Sequence, residues 1–158
     1  MTPTVTNTHL AMKKILYSIL AACAFACTTS CGDFDINGDL DGMWHLRTVE
    51  TLADNSIENV KEQCVYYSVQ QSLITVKRLY KQNSEEKYKQ HIGRFIHAGD
   101  SLILHNFRVF QDESVIATNE SLRSFYLDAT TSRYAVKKLN ADEMVLRSNL
   151  RELTFKKF

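Results

Sequence analysis

The only proline in the chain is Pro3, so nothing downstream of the first few residues forbids the ladder hydrogen bonds of interior β-strands. Cysteine is equally scarce where it would matter for stapling. Cys23, Cys27 and Cys31 crowd into or just after an apolar stretch near the N-terminus, and only Cys64 lies in the body, which excludes a disulfide framework there. Excess charge is missing too. The whole chain carries a formal +1, and residues 1–30 hold Lys13 and Lys14 but no acid, leaving 17 basic against 18 acidic residues in the remainder, a net −1. A balance of that kind gives no footing for a nucleic-acid partner. The longest apolar run, Ile15 to Cys27, is about 13 residues, short of the roughly 20 that a helix needs to cross a hydrocarbon core.

Catalytic and metal signatures are missing as well. No G-x-S-x-G elbow occurs, and Cys64 sits in the run Cys64-Val65-Tyr66-Tyr67 with no local feature that would make it a nucleophile. Glu85-Glu86, between Ser84 and Lys87, reads as a solvated hairpin tip. The C-x3-C-x3-C spacing of Cys23, Cys27 and Cys31 has no nearby histidine and no loop to bend around an ion. We therefore expect no enzyme, no metal and no cofactor.

What is present starts with an address. Lys13-Lys14, the apolar run and Thr28-Thr29-Ser30-Cys31-Gly32 form the charged, apolar and small-residue regions of an export signal. Met12 is the natural start, with residues 1–11 an upstream extension. Small residues before a cysteine resemble a lipobox, the site at which a thiol accepts a diacylglyceryl group before cleavage. Cys23 has the closest letters, but Cys31 has a full apolar region before it and polar Gly32-Asp33 after it. The expectation is an export signal over 1–30, lipidation at Cys31, and attachment in the cell envelope, at the periplasmic or surface face of an outer membrane. Residues 31–41, with Asp33, Asp35, Asp39 and Asp41 among Gly and Asn, read as a flexible acidic tether. They lack the terminal glutamate and flanking helices of a Ca2+ loop.

From Gly42 onward the pattern is of short strands with turn chemistry between them. Eight are expected, over 43–50, 64–70, 72–80, 87–97, 101–107, 132–138, 143–148 and 151–157. Gly99-Asp100 can supply the positive φ values of a tight hairpin, and Leu139-Asn140-Ala141-Asp142-Glu143 marks a second. Two longer segments, 51–63 and 108–131, interrupt the meander. In the second, Asn119 or Ser121 could cap a short helix running through Leu122, Phe125 and Tyr126. Eight antiparallel strands keep two edges unless they close, so the fold class is an all-β, eight-stranded, up-and-down antiparallel barrel with one short helix over residues 42–158. An open sandwich is the alternative.

Gly42-Met43-Trp44 at the start of the first strand is similar to the lipocalin signature. Together with the strand count and the end Leu153-Thr154-Phe155-Lys156-Lys157-Phe158, the body resembles the small lipocalin-like lipoproteins of bacteria. That resemblance implies a barrel floor in which Trp44 lies under a cation from the last strand. The cation is usually arginine; here Lys157 continues the face of Leu153 and Phe155 and is the better candidate than Lys156. It also implies binding of a small apolar or amphipathic molecule, an inference by fold analogy.

The hairpin at Gly99-Asp100 sets a register in which Ala98 pairs Ser101, His97 pairs Leu102, Phe95 pairs Leu104, Arg94 pairs His105 and Ile92 pairs Phe107. One face then holds Ile92, Arg94, Ile96, Ile103, His105 and Phe107. The other holds His91, Gly93, Phe95, His97, Leu102, Leu104, Asn106 and Arg108. His91 and His97 share a face and His105 takes the opposite one, which rules out a three-histidine site unless a bulge shifts the register. The first face is the more apolar and is expected to line the barrel, with Arg94 and His105 as a polar clamp for an amphipathic acid. The alternative is a filled barrel that serves as a protein-interaction module of the envelope, and an open or packed interior separates the two.

Overall fold

The computed structural model describes residues 36–158. The export segment, Cys31 and the first part of the acidic tether lie outside them. A 3-10 turn, Gly38–Leu40, leads into β1, Gly42–Thr51, followed by β2, Ser56–Asn59, and a second 3-10 turn, Lys61–Gln63. Then come β3, Val65–Gln70, β4, Leu73–Gln82, β5, Glu85–Ala98, β6, Ser101–Val109, and β7, Asp112–Ile116. A short helix α1, Asn119–Arg123, precedes β8, Ser132–Leu139, β9, Glu143–Arg147, and β10, Arg151–Lys157.

Eight of these strands close a barrel in the order β1, β3, β4, β5, β6, β8, β9, β10, with β10 returning to pair with β1 from Trp44↔Lys157 to Thr51↔Arg151. All the pairings are antiparallel, and the expected barrel, not the open sandwich, is the fold. Closure satisfies every edge of the eight strands internally. The two interrupting segments each contribute a short extra strand. β2 pairs the upper part of β1 above β3, and β7 pairs the end of β6 above β8.

The tight turns do what their residues allow. Gly99 adopts φ +54° between the paired Ala98 and Ser101. Asn140 accepts hydrogen bonds on Oδ1 from the amides of Asp142 and Glu143, which fixes the β8–β9 hairpin. Cys64, expected as the first residue of a strand, instead takes φ +50° in the turn before β3.

Because the strands alternate, Gly42, the β3–β4, β5–β6 and β8–β9 turns, and Lys157 gather at one end, the floor. The other end, the mouth, collects the β1–β2, β4–β5 and β9–β10 connections and the long β6–β8 excursion. Inward side chains of β1, β3, β4, β6, β9 and β10, among them Trp44, Leu46, Val65, Tyr67, Ile74, Val76, Leu102, Leu104, Leu146, Leu153 and Phe155, expose no more than 1% of their surface.

Candidate functional site

The floor is built from Trp44, Gly42 and Lys157. Trp44 is fully buried and its indole N–H donates to the Leu40 carbonyl at 2.8 Å. Lys157 Nζ lies 5.0 Å from the centre of the Trp44 ring and donates to the Asp39 carbonyl at 3.0 Å. Gly42 sits at φ +120°, and a Cβ there would come 2.7 Å from Lys157 Cε, so glycine is needed both for the backbone and for the lysine stem. Lys156 is exposed.

The mouth is closed by the chain itself. Residues 117–127, between β7 and β8, turn their apolar side chains into the barrel, where Ala117, Leu122, Phe125 and Leu127 are all buried and join the same core as Trp44 and Phe155. Helix α1 is capped by Thr118, not by Asn119 or Ser121, because Thr118 and Ser121 form a reciprocal capping pair: Ser121 N donates to Thr118 Oγ1 at 3.2 Å and Thr118 N to Ser121 Oγ at 3.0 Å. It ends at Arg123, ahead of Phe125 and Tyr126, and Tyr126 takes φ +64°, a strained conformation for a bulky side chain.

Polar ties hold this plug, among them Ala117 N to the Phe107 carbonyl at 2.9 Å and Thr130 N to Asn119 Oδ1 at 2.8 Å. The Tyr67 hydroxyl donates to the Phe125 carbonyl at 2.7 Å, and the Tyr126 hydroxyl to Gln63 Oε1 at 2.9 Å. Arg151 Nε lies 2.8 Å from Asp128 Oδ1, with the Ser148 hydroxyl donating to Asp128 Oδ2 at 3.0 Å. Burial pushes the Tyr67 and Tyr134 phenols up, with the nearby Asp128 carboxylate adding to both.

With the plug in place the interior is packed, because its lining side chains expose 0–4% of their surface. Two buried polar groups inside it stand out. His91, 6% exposed, has no hydrogen-bond partner on either ring nitrogen, and its ring meets the edge of Phe125 at 5.2 Å between centroids. The Tyr134 hydroxyl likewise lacks a partner of good hydrogen-bond geometry.

The expected ligand face is inverted. His91, Gly93, Phe95, Leu102 and Leu104 face or border the interior, while Arg94 and Ile96 are exposed and Ile92, Ile103 and His105 lie half-buried on the outer wall. A bulge masked the true balance of the two faces. Ala98↔Ser101 through Arg94↔His105 pair as expected, but Asn106 takes φ +55° opposite Gly93, so Ile92 pairs Arg108 and not Phe107. The inserted residue moves Phe107 to the inner face, where it is 1% exposed and lies against Gly93. Grouping Phe107 with Ile92, Ile96 and Ile103 had made their face look the more apolar of the two.

Arg94 therefore clamps nothing inside the barrel; its Nη1 donates to the Ser72 hydroxyl at 3.2 Å. Ile92, Arg94 and the bulge do border an external groove of about 550 Å³, together with Leu73, Arg108, Glu113 and Ile116. No cluster of three or more potential metal ligands occurs among the described residues.

Comparison with known proteins agrees with the architecture. A lipocalin-like protein from Bacteroides uniformis is 23% identical over 77% of this chain and 100% of its own, with a TM-score of 0.58. An uncharacterized protein from Bacteroides eggerthii is 19% identical over 75% of this chain and 99% of its own, with a TM-score of 0.55. No curated protein matches the sequence. The family model described as a lipocalin-like domain matches residues 25–158, and the chain belongs to that family.

Proposed function

We propose that this protein is a lipid-anchored envelope barrel that binds a small apolar or amphipathic molecule in the upper interior, in the space now filled by residues 117–127. Lipocalin-like barrels hold small molecules as a general property of the fold, and the export signal with Cys31 supplies the anchor. The observation that carries the reading is the way the mouth is closed. Its apolar filling comes from Leu122, Phe125 and Leu127, on a segment that is mostly outside the sheet. Such a segment can leave without breaking a ladder, whereas the strand side chains cannot. Withdrawal would vacate a space lined by Tyr67, His91 and the neighbouring strand residues, and a bound guest would restore the lost apolar contact.

A second reading follows from the packed interior. A permanently filled barrel is an interaction module, and its outer wall offers the partner surface.

Titration with diphenylhexatriene, a purely apolar fluorophore, combined with amide hydrogen exchange, tests the proposal. Saturable binding should be accompanied by loss of protection at Leu122, Phe125 and Tyr126. Absence of binding, or binding that leaves those amides protected, would reject the interior site and leave the interaction-module reading.

A further inference from the structure

His91 is the feature of the interior that packing alone does not account for. It projects inward from β5 in the company of Gly93 and Phe95, and beneath the Phe125 ring. Neither Nδ1 nor Nε2 has a partner, although the residue is 94% removed from solvent. Buried polar atoms are nearly always paired, and an exception calls for an explanation such as a ligand or an ordered water. A phenylalanine or leucine would fill the same volume with no such orphaned atoms. Burial, with Lys89 adding to it, holds the His91 imidazole below its ordinary pKa and therefore neutral. A neutral imidazole offers one donor and one acceptor on opposite sides of the ring.

We propose that His91 anchors the polar head of the bound molecule, and that the ligand class is a single-chain amphiphile with a head that can both donate and accept a hydrogen bond, a hydroxyl or an un-ionised carboxylic acid. This rests on the interior-site reading above. The aliphatic body takes the place of Phe125 and Leu122, and the head meets His91 once the Phe125 ring has moved aside. Lys89 lies two residues along the same strand, and Phe125 is the aromatic neighbour that now covers the imidazole. The exposed Arg94 takes no part, since it faces the outer wall.

The test compares two probes on the full chain: cis-parinaric acid, whose carboxyl head an apolar interior holds un-ionised, and diphenylhexatriene, which has no head. His91→Phe should weaken cis-parinaric acid by about tenfold, the equivalent of one hydrogen bond, and leave diphenylhexatriene within about twofold. His91→Gln, which keeps a donor and an acceptor, should retain most of the affinity for the acid and guards against a folding defect in the first variant. In wild-type protein the imidazole 15N resonances of His91 should move on adding the acid and stay in place with the headless probe. Equal weakening of both probes, or of neither, would overturn the role of His91 while the interior site stands. Failure of both probes to bind wild-type protein would overturn the interior site itself.

Discussion

The bulge that turns Phe107 to the inner face can be tested through the pair Gly93 and Phe107. An added Cβ at residue 93 would come 2.7 Å from both Cδ1 and Cε1 of Phe107 and 3.0 Å from the His105 carbonyl oxygen. The ring cannot simply swing away, because Phe107 is 1% exposed and packed on all sides. Gly93→Ala should therefore cost about 1–3 kcal/mol, the usual penalty of forcing a methyl group into a filled core. Phe107→Ala on its own should cost about 3–5 kcal/mol through the cavity it leaves. In the double variant the new methyl group enters space the ring has vacated, so the penalty of Gly93→Ala should shrink by at least about 1 kcal/mol. Urea unfolding of the four proteins, with unchanged slopes as the check on two-state behaviour, gives the coupling directly. Additivity to within about 0.5 kcal/mol would mean that the backbone at His105, not the ring, absorbs the methyl group, and that Gly93 does not hold Phe107 inward.

Trp44→Ala should destabilise the barrel by about 3–5 kcal/mol, whereas Lys157→Ala should cost about 0.5–2 kcal/mol as a cation–π partner; equal losses in denaturant melts would contradict the floor geometry. Cys31→Ser should yield a precursor that is neither lipidated nor cleaved and that fails to partition into detergent, and normal partitioning would move the anchor to Cys23 or Cys27. Stability should decline as pH falls below the ordinary imidazole value of 6.5, because burial holds both His91 and His45 below it in the folded state. Unfolded imidazoles then bind more protons than folded ones, so protonation favours unfolding. The His91→Gln variant should lose part of that slope in urea midpoints measured against pH, and an unchanged slope would mean that His91 contributes nothing to it.

The eight barrel strands were legible in the sequence because alternation and turn residues act locally, as at Gly99-Asp100 and Asn140. The Trp44–Lys157 floor was legible as well, since period-two alternation along Leu153, Phe155 and Lys157 selects the correct lysine. The inner face of β5–β6 was not. Its apolar balance turns on Phe107, which one inserted residue, Asn106, carries to the inner face opposite Gly93. The cap at Thr118 was missed because the residue three positions on is Ser121 and not the usual glutamate or glutamine. The spacing of Leu122, Phe125 and Tyr126 signalled a short helix but not its role as a plug. Nothing local tells that Leu122, Phe125 and Leu127 fill the mouth until the mouth itself is known.

A mouth stoppered by the chain's own residues has a kinetic consequence. If entry waits for residues 117–127 to swing out, the observed association rate should level off with rising ligand concentration at the rate of opening, instead of climbing in proportion to it. An opening that leaves about one molecule in a hundred receptive also weakens the apparent affinity about a hundredfold relative to the open barrel. A seated guest occupies the place of Leu122 and Phe125, so the plug cannot close over it, and release depends on the guest's own contacts and not on a second opening. Such a carrier would load slowly however abundant its cargo, with the stopper governing entry alone.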